Sequence, residues 1–119
     1  MCGIFALLCS DKDSLDHKMI NEYFLKGNKR GPEHSILQNI KNDVIFGFHR
    51  LAINGLDVES NQPITSQGNY LICNGEIYNH KEIFEQQKLE KNTNSDCEAI
   101  LKGYERNGIN IIISHKICR

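Results

Sequence analysis

The class of fold is indicated by residues 35–49, SILQNIKNDVIFGFH, which have the pattern of two short β-strands and a turn. The runs 35–40 and 44–49 carry isoleucine, leucine, valine and phenylalanine, whereas residues 41–43, KND, are polar and favour a turn. Strands joined by so short a connection run antiparallel. This segment therefore predicts a β-hairpin, and with it an antiparallel sheet.

Two more strands are expected outside the hairpin. Residues 2–9 form a short apolar run that suits a buried strand better than a helix, and the chain is expected to begin inside the core. Residues 70–73 suit another short strand.

Three helices are expected between and after these strands. The first runs from residue 14 to Gly27, with a stripe of apolar residues at helical spacing: Leu15, Met19, Ile20, Tyr23 and Phe24. The second covers residues 80–87, and the third begins at Ser95, where residues 95–98, SDCE, match a capping box. Helices on the faces of an antiparallel sheet predict an α+β fold rather than a doubly wound parallel one.

Length, charge and hydropathy limit what the chain can be. Its 119 residues favour one domain at most, and 14 Lys plus Arg against 15 Asp plus Glu leave no cationic excess for nucleic acid. No apolar run approaches the roughly 20 residues that span a bilayer, and residues 1–10 lack the pattern of a secretory signal. We expect a soluble, cytoplasmic protein without a nucleic-acid or membrane partner.

The cysteines and histidines follow neither a disulfide pattern nor a metal-site pattern. Five cysteines are an odd number without a Cys-x-x-Cys pair, which favours reduced thiols. No two histidines have the i, i+4 spacing of a helical metal site, so no metal is expected. The residues concerned are Cys2, Cys9, Cys73, Cys97 and Cys118, and His17, His34, His49, His80 and His115.

Cys2 is a candidate nucleophile because of its position in the chain. Removal of Met1 would leave a thiol and a free α-amine on one residue, and the pKa values of these two groups in peptides lie close together near neutral pH. Gly3 would let a substrate approach the backbone. The alternative is that Cys2 is a small apolar residue at the start of a buried strand.

Asn74 and Gly75 are candidates for stabilising an oxyanion. The Asn74 amide and the Gly75 backbone N–H are donors that suit the tetrahedral oxygen formed when a thiolate attacks an amide. The alternative is structural, because Asn-Gly between two apolar runs is a favoured hairpin turn.

Arg50 and Asp96 are candidates for binding an amino acid. A guanidinium binds a carboxylate through two hydrogen bonds, and a carboxylate side chain pairs with an ammonium group. The alternatives are that Arg50 is a solvated residue at the end of a strand and that Asp96 is the first residue of a helix, stabilised by the helix dipole.

Taken in order, the motifs of the chain resemble those of class II glutamine amidotransferases, from residue 2 to about residue 106. Within that superfamily they are most similar to the asparagine synthetases. The motifs are CGI at 2–4, RGPE at 30–33, FHRLAI at 48–53, QP at 62–63, NGEIYNH at 74–80 and SDCE at 95–98.

The resemblance implies the fold of the N-terminal nucleophile hydrolases, an αββα sandwich of two antiparallel sheets between helices. It also implies that Cys2 attacks the side-chain amide of glutamine while its own α-amine moves the proton. Asn74 and Gly75 would hold the oxyanion. A γ-glutamyl thioester would form as ammonia leaves, and water would release glutamate.

The same resemblance assigns the residues that bind glutamine. Arg50 would bind the α-carboxylate, and Asp96, with the backbone of Gly75 and Glu76, would bind the α-ammonium. The backbone of the segment after Arg50 would line the pocket: Leu51, Ala52, Ile53 and Asn54.

The chain departs from the family pattern at its end. Residues 2–108 match a partial amidotransferase domain, whereas residues 109–119 match nothing in the pattern, so the sandwich is expected to be incomplete at the C-terminus. No glycine-rich phosphate loop is present, and ATP and Mg are expected only for a synthetase domain, joined to the chain or acting in trans.

Three functions remain open from the sequence. The first is a glutaminase domain that supplies ammonia for asparagine synthesis, without a cofactor of its own. The second is a truncated, inactive remnant that at most binds glutamine or a partner chain. The third is a thiol or metal-binding module that uses the five cysteines.

Overall fold

A computed structural model describes residues 1–9 and 16–110 of the chain, which forms two compact units, Met1–Ala52 and Ile53–Arg119. The described ranges contain antiparallel sheets and α-helices, as the α+β prediction requires. None of their helices is long and apolar enough to cross a membrane. Most of residues 109–119, for which the motifs offer no counterpart, lie outside the described residues.

The described part of the first unit is a three-stranded antiparallel sheet with one α-helix. Its strand order is β1-β3-β2, so the strand that comes last in sequence lies in the middle. The predicted hairpin is confirmed, since β2 and β3 pair antiparallel, with His34 opposite Arg50. The elements are β1 Gly3–Leu8, α1 His17–Leu25, a 3₁₀ turn Asn28–Arg30, β2 His34–Lys41 and β3 Val44–Arg50.

Strand β1 is present where it was predicted, but it is not a buried strand. Ile4 and Leu8 are 53% and 75% exposed, while Phe5 and Leu7 between them are half-buried. Among the described residues, the strand pairs only with β3, and it alternates between a covered and an exposed face. An apolar run alone does not distinguish such an edge strand from a central one.

Helix α1 packs against the sheet through a different part of the predicted stripe. Ile20 and Phe24 are buried, whereas Met19 and Tyr23 are about half exposed. Both pairs are spaced by four residues, so periodicity alone could not choose between them. Leu15 and the predicted start at residue 14 lie outside the described residues, and the helix begins at His17.

Gly47 makes this packing possible. A Cβ atom at this position of β3 would lie 2.7 Å from the ring of Phe24. The same ring packs edge-on against Phe5, with 6.1 Å between the ring centroids. A side chain larger than hydrogen at position 47 would therefore push α1 away from the sheet.

The second unit contains a small hairpin, of which the sequence pattern predicts only the second strand. Strand β4, Ile64–Ser66, was not predicted, and β5, Asn69–Leu71, lies slightly before the predicted strand at 70–73. The two strands pair antiparallel around Gln67 and Gly68, both of which have positive φ. Because β5 ends at Leu71, Asn74 and Gly75 do not form the turn of a hairpin.

Two helices complete the described part of this unit. Helix α2, His80–Gln87, has the predicted bounds, whereas α3, Glu98–Asn107, begins after the predicted residue, Ser95. Ile77, Ile83 and Ala99 form one apolar cluster, and Ile64, Cys97 and Leu101 form another. Since Ala99 and Leu101 both lie on α3, this helix contributes to both clusters.

The predicted capping box at the start of α3 is wrong. The Glu98 carboxylate does not bond back to Ser95; it accepts hydrogen bonds from the backbone N–H groups of Asn92 and Thr93, at 2.9 and 2.7 Å. It also accepts one from the Thr93 hydroxyl at 3.0 Å. The Ser95 N–H bonds instead to the Thr93 hydroxyl oxygen. Glu98 thus anchors the preceding loop rather than capping its own helix.

Replacing Glu98 by alanine is expected to lower the free energy of unfolding by about 2–4 kcal/mol. The substitution removes the carboxylate that accepts hydrogen bonds from three donors, the N–H groups of Asn92 and Thr93 and the Thr93 hydroxyl. It also leaves a cavity, because the Glu98 side chain is only 1% exposed. Urea denaturation followed by circular dichroism measures the change. Glu85→Ala, at an exposed position of α2, is the matched control and should change stability by less than about 0.5 kcal/mol. Equal denaturation midpoints for the two variants would contradict the assigned role of Glu98.

Candidate active site

Cys2 lies directly before β1, with its thiol held by the segment that follows β3. The Leu51 N–H donates to Cys2 Sγ at 3.3 Å, and Sγ lies 3.4 Å from the Leu51 carbonyl oxygen. Arg30 Nε donates to the Cys2 carbonyl at 3.1 Å. Cys2 is half-buried and hydrogen-bonded on both thiol and backbone, unlike a cysteine that only fills apolar space.

Arg50 is the last residue of β3 and is buried, at 7% exposure, so the alternative of a solvated strand end is wrong. Its carbonyl oxygen accepts from the Glu33 N–H at 3.2 Å. Glu33 Oε2 accepts from the Ala52 N–H at 2.6 Å. Glu33 therefore fixes the backbone on both sides of Leu51, the residue that contacts the Cys2 thiol.

Arg30 and Glu33 are the two ends of the RGPE motif, and the sequence alone assigns neither of them a role. Both residues form hydrogen bonds to the backbone of the candidate site. Arg30 binds the backbone of Cys2, and Glu33 binds the segment that contains Arg50 and Leu51. Gly31, between them, passes so close to β3 that a Cβ atom would lie 2.3 Å from the His49 carbonyl oxygen. Their place in the RGPE motif is the sequence feature that could have marked Arg30 and Glu33 as supporting residues of the site.

His49 fixes the end of β3 from within the first unit. Its ring is 1% exposed and stacks on Phe24 with 4.1 Å between centroids. Nε2 lies 2.8 Å from the Phe24 carbonyl oxygen, which can only accept, so Nε2 carries the proton. Nδ1 lies 2.7 Å from the Ser35 hydroxyl. His49 acts structurally, since both ring nitrogens are hydrogen-bonded inside the fold.

Asp96 in the second unit is buried, at 6% exposure, and is oriented by a backbone donor. The Ile77 N–H donates to Asp96 Oδ2 at 2.6 Å. The alternative that Asp96 is the first residue of a helix is wrong, because α3 begins at Glu98. The hydrogen bond ties Asp96 to the segment NGEIYNH, which carries Asn74, Gly75 and Glu76.

The oxyanion candidates are accessible in the loop between β5 and α2. Asn74 and Gly75 are exposed, and a Cβ atom at Gly75 would have no atom within 4 Å. The neighbouring Glu76 is half-buried, and its hydrogen bond with the Tyr78 hydroxyl raises the pKa of Tyr78. Open space beside Gly75 leaves room for a bound molecule near its backbone.

The remaining predicted site residues are distributed over the two units. Cys2, Arg50, Leu51 and Ala52 lie in the first unit, and Ile53, Asn54, Asn74, Gly75, Glu76 and Asp96 lie in the second. Leu51 and Ala52 are half-buried, whereas Ile53 and Asn54 are exposed. Within the first unit, direct hydrogen bonds join Cys2 to Leu51.

One cavity of the second unit lies apart from the predicted residues. It has a volume of about 280 Å³ and a lining of charged and polar side chains with one leucine: Gln67, Lys88, Leu89, Glu90, Lys102, Glu105 and Arg106. None of the predicted site residues lines it. Among residues 1–9 and 16–110, no three histidine, cysteine or acidic side chains group as metal ligands.

Comparison with known proteins places the chain in a family. A family model described as a glutamine amidotransferase domain matches residues 1–116. The chain is 40% identical over 119 residues to asparagine synthetase [glutamine-hydrolyzing] 1 of Saccharomyces cerevisiae, and 38% identical over 115 residues to asparagine synthetase [glutamine-hydrolyzing] of Homo sapiens. A probable asparagine synthetase [glutamine-hydrolyzing] of Acanthamoeba polyphaga mimivirus is 33% identical over 118 residues.

These matches cover 92%, 92% and 96% of the chain, respectively, but only 19%, 20% and 22% of the relatives. The chain thus spans about one fifth of the length of the curated relatives it matches. The resemblance to the asparagine synthetase branch, drawn from six short motifs, is confirmed by these relatives. The chain belongs to the glutamine amidotransferase domain family.

Proposed function

We propose that the chain is a glutaminase domain of the asparagine synthetase type, which hydrolyses glutamine to glutamate and ammonia. The observation that carries this proposal is the position of Cys2, whose thiol is held by the Leu51 backbone directly after the buried Arg50. A nucleophile is thereby placed beside a residue suited to binding a carboxylate. Met1 is 75% exposed, and its removal gives Cys2 a free α-amine.

The reaction proceeds in two steps at Cys2. The thiol sulfur attacks the side-chain amide carbon of glutamine, and the α-amine of Cys2 takes the thiol proton and passes it to the leaving nitrogen. Ammonia leaves and a γ-glutamyl thioester remains. Water then attacks the thioester, which releases glutamate and restores the thiol. No cofactor enters these steps.

The Asn74 amide and the Gly75 N–H are the proposed donors to the tetrahedral oxygen. Both residues are exposed, and the space beside Gly75 is open. A single donor of this kind is worth about 3 kcal/mol to the transition state. Because only proline removes a backbone N–H, and proline also restricts the backbone, the contribution of Asn74 is the one that substitution tests cleanly.

Arg50 and Asp96 are the proposed ligands of the amino-acid end of glutamine. Arg50 pairs with the α-carboxylate, and Asp96, with the backbone of Gly75 and Glu76, pairs with the α-ammonium. The Ile77 N–H already orients the Asp96 carboxylate. The backbone of the segment after Arg50 lines the pocket: Leu51, Ala52, Ile53 and Asn54.

Beyond this chain, we propose that the ammonia serves asparagine synthesis in the cytoplasm. A synthetase domain, joined to the chain or acting in trans, would use ATP and Mg. We also propose that the two units belong to the αββα architecture of N-terminal nucleophile hydrolases. Their antiparallel sheets and accompanying helices support this assignment.

Glutamine is expected to bind at least about 100-fold more tightly than amides that lack its α-carboxylate or its α-amine. Each missing group removes one charge-assisted interaction with a buried residue, Arg50 or Asp96, which costs several kcal/mol. Calorimetric titration of the Cys2→Ala protein measures binding without turnover. The ligands are glutamine, 4-aminobutanamide, which lacks the carboxylate, and glutaramic acid, which lacks the amine.

Asp96→Asn is the matched variant for this titration, because its amide oxygen still accepts from the Ile77 N–H while the charge is lost. It should weaken binding of glutamine and leave binding of glutaramic acid nearly unchanged. Equal affinities of the parent protein for glutamine and the two analogues would refute the roles of Arg50 and Asp96.

A further inference from the structure

Two cysteines that the proposed reaction does not use lie in one cluster of the second unit. Cys73 packs against the cluster formed by Ile64, Cys97 and Leu101, and each of the two thiols shifts the pKa of the other. Neither Cys73 nor Cys97 forms a disulfide in this structure, so the pair is reduced.

The backbone around each thiol is held in place. Gln62 binds both backbone polar groups of Cys73: its Oε1 accepts from the Cys73 N–H at 2.5 Å, and its Nε2 donates to the Cys73 carbonyl at 3.1 Å. Cys97 is 4% exposed and precedes the first residue of α3. The two fixed backbones keep Cys73 and Cys97 in the same cluster.

The two thiols differ in chemical character. Interaction with the Cys97 thiol lowers the pKa of Cys73, although burial and the charge of Asp96 act in the opposite direction. The same interaction, together with burial, raises the pKa of Cys97. Cys73 is half-buried and Cys97 is buried. Since the thiolate is the reactive form, Cys73 is the thiol that an oxidant reaches first.

We propose that Cys73 and Cys97 form a reversible disulfide that weakens glutamine binding in this domain. The Cys73 thiolate attacks a peroxide oxygen, which breaks the O–O bond and gives a sulfenic acid and hydroxide. Cys97 loses its proton and attacks the sulfenic sulfur, and the S–O bond breaks. The two thiols and hydrogen peroxide thus yield one disulfide and two waters, and a dithiol reductant reverses the change.

The position of the pair explains the effect on glutamine, which rests on the function proposed above. Cys73 directly precedes Asn74 and Gly75, and Cys97 directly follows Asp96. Cys97 Sγ donates a hydrogen bond to the Gly75 carbonyl oxygen at 3.7 Å, and a disulfide sulfur has no proton to donate. Oxidation therefore removes a hydrogen bond to the backbone of Gly75, the residue proposed to contact both the oxyanion and the α-ammonium.

The first experiment maps the bond itself. The reduced chain is treated with hydrogen peroxide, digested without reductant and analysed by mass spectrometry. A peptide pair joined through Cys73 and Cys97 is expected within one chain, lighter by two hydrogens and released by dithiothreitol. Cys97→Ala should instead carry added oxygen on Cys73, because no second thiol is present to displace it. Persistent thiols at both positions, or bonds only between chains, would overturn the proposal.

The second experiment measures glutamine binding by calorimetry in the Cys2→Ala background, before and after peroxide. Oxidation should weaken binding at least about tenfold, and dithiothreitol should restore it. In the Cys2→Ala protein that also carries Cys97→Ala, peroxide should lower the affinity for glutamine by less than about tenfold, because no disulfide can form. A mapped disulfide with unchanged affinity would refute the regulatory effect. Absence of glutamine binding by the reduced protein would refute the proposed function, while the mapped disulfide would still stand.

Discussion

Cys2→Ala is expected to reduce glutamate release from glutamine at least about 1,000-fold, because the variant loses the only group that forms the thioester in the proposed reaction. The Leu51 N–H and carbonyl would face a methyl group instead of a thiol, and the backbone bond from Arg30 would remain. The fold should therefore survive. Glutamate production by purified protein, measured with an excess of glutamine, tests the expectation.

Cys9→Ala is the matched control, because Cys9 is also half-buried in the first unit and has no role in the proposed reaction. It should retain the parent rate. Intact mass must show that Met1 is absent, since the proposed base is the α-amine of Cys2. A Cys2→Ala protein as active as the parent, or full retention of Met1 in an active protein, would refute the mechanism. A parent protein no more active than Cys2→Ala would favour the inactive-remnant hypothesis.

The elements that sequence predicts well here are those set by local pattern. The hairpin of β2 and β3 and the bounds of α2 depend on neighbouring residues, and both are confirmed. The wrong predictions concern features that depend on contacts outside the local segment. Met19 and Tyr23 fit the helical period as well as Ile20 and Phe24 do, but only the latter pair packs against the sheet. The SDCE motif matches the sequence of a capping box, but the Glu98 carboxylate accepts hydrogen bonds from the N–H groups of Asn92 and Thr93 instead.

In the candidate site, too, the sequence predicts the residues but not the long-range contacts between them. Motif order identified Cys2, Arg50 and Asp96 as candidates, and the structure gives each a buried or half-buried position. It could not identify the contacts, since Cys2 and Leu51 are 49 residues apart and meet only because β1 pairs with β3. The supporting role of Glu33 likewise depends on a hydrogen bond across 19 residues. Long-range contacts of this kind are set by tertiary structure, not by local propensity.

Gly31→Ala is expected to destabilise the protein by at least about 3 kcal/mol and to lower its melting temperature by at least about 10 °C. An added Cβ atom would lie 2.3 Å from the His49 carbonyl oxygen and 2.5 Å from the Arg50 carbonyl carbon. These are backbone atoms of the central strand of the first unit, so no side-chain rotation relieves the overlap. Thermal unfolding followed by circular dichroism measures the loss.

Gly75→Ala provides the control for this substitution. A Cβ atom at Gly75 would meet no atom within 4 Å, and Gly75 is not among the residues with positive φ, so stability should change by less than about 0.5 kcal/mol. Gly31→Ala must either unfold the first unit or separate residues 30–33 from the end of β3. Separation would break the Glu33 bonds on both sides of Leu51 and release the Cys2 thiol from its position. A Gly31→Ala protein with the melting temperature of Gly75→Ala and full glutaminase activity would show that this close backbone approach is not required.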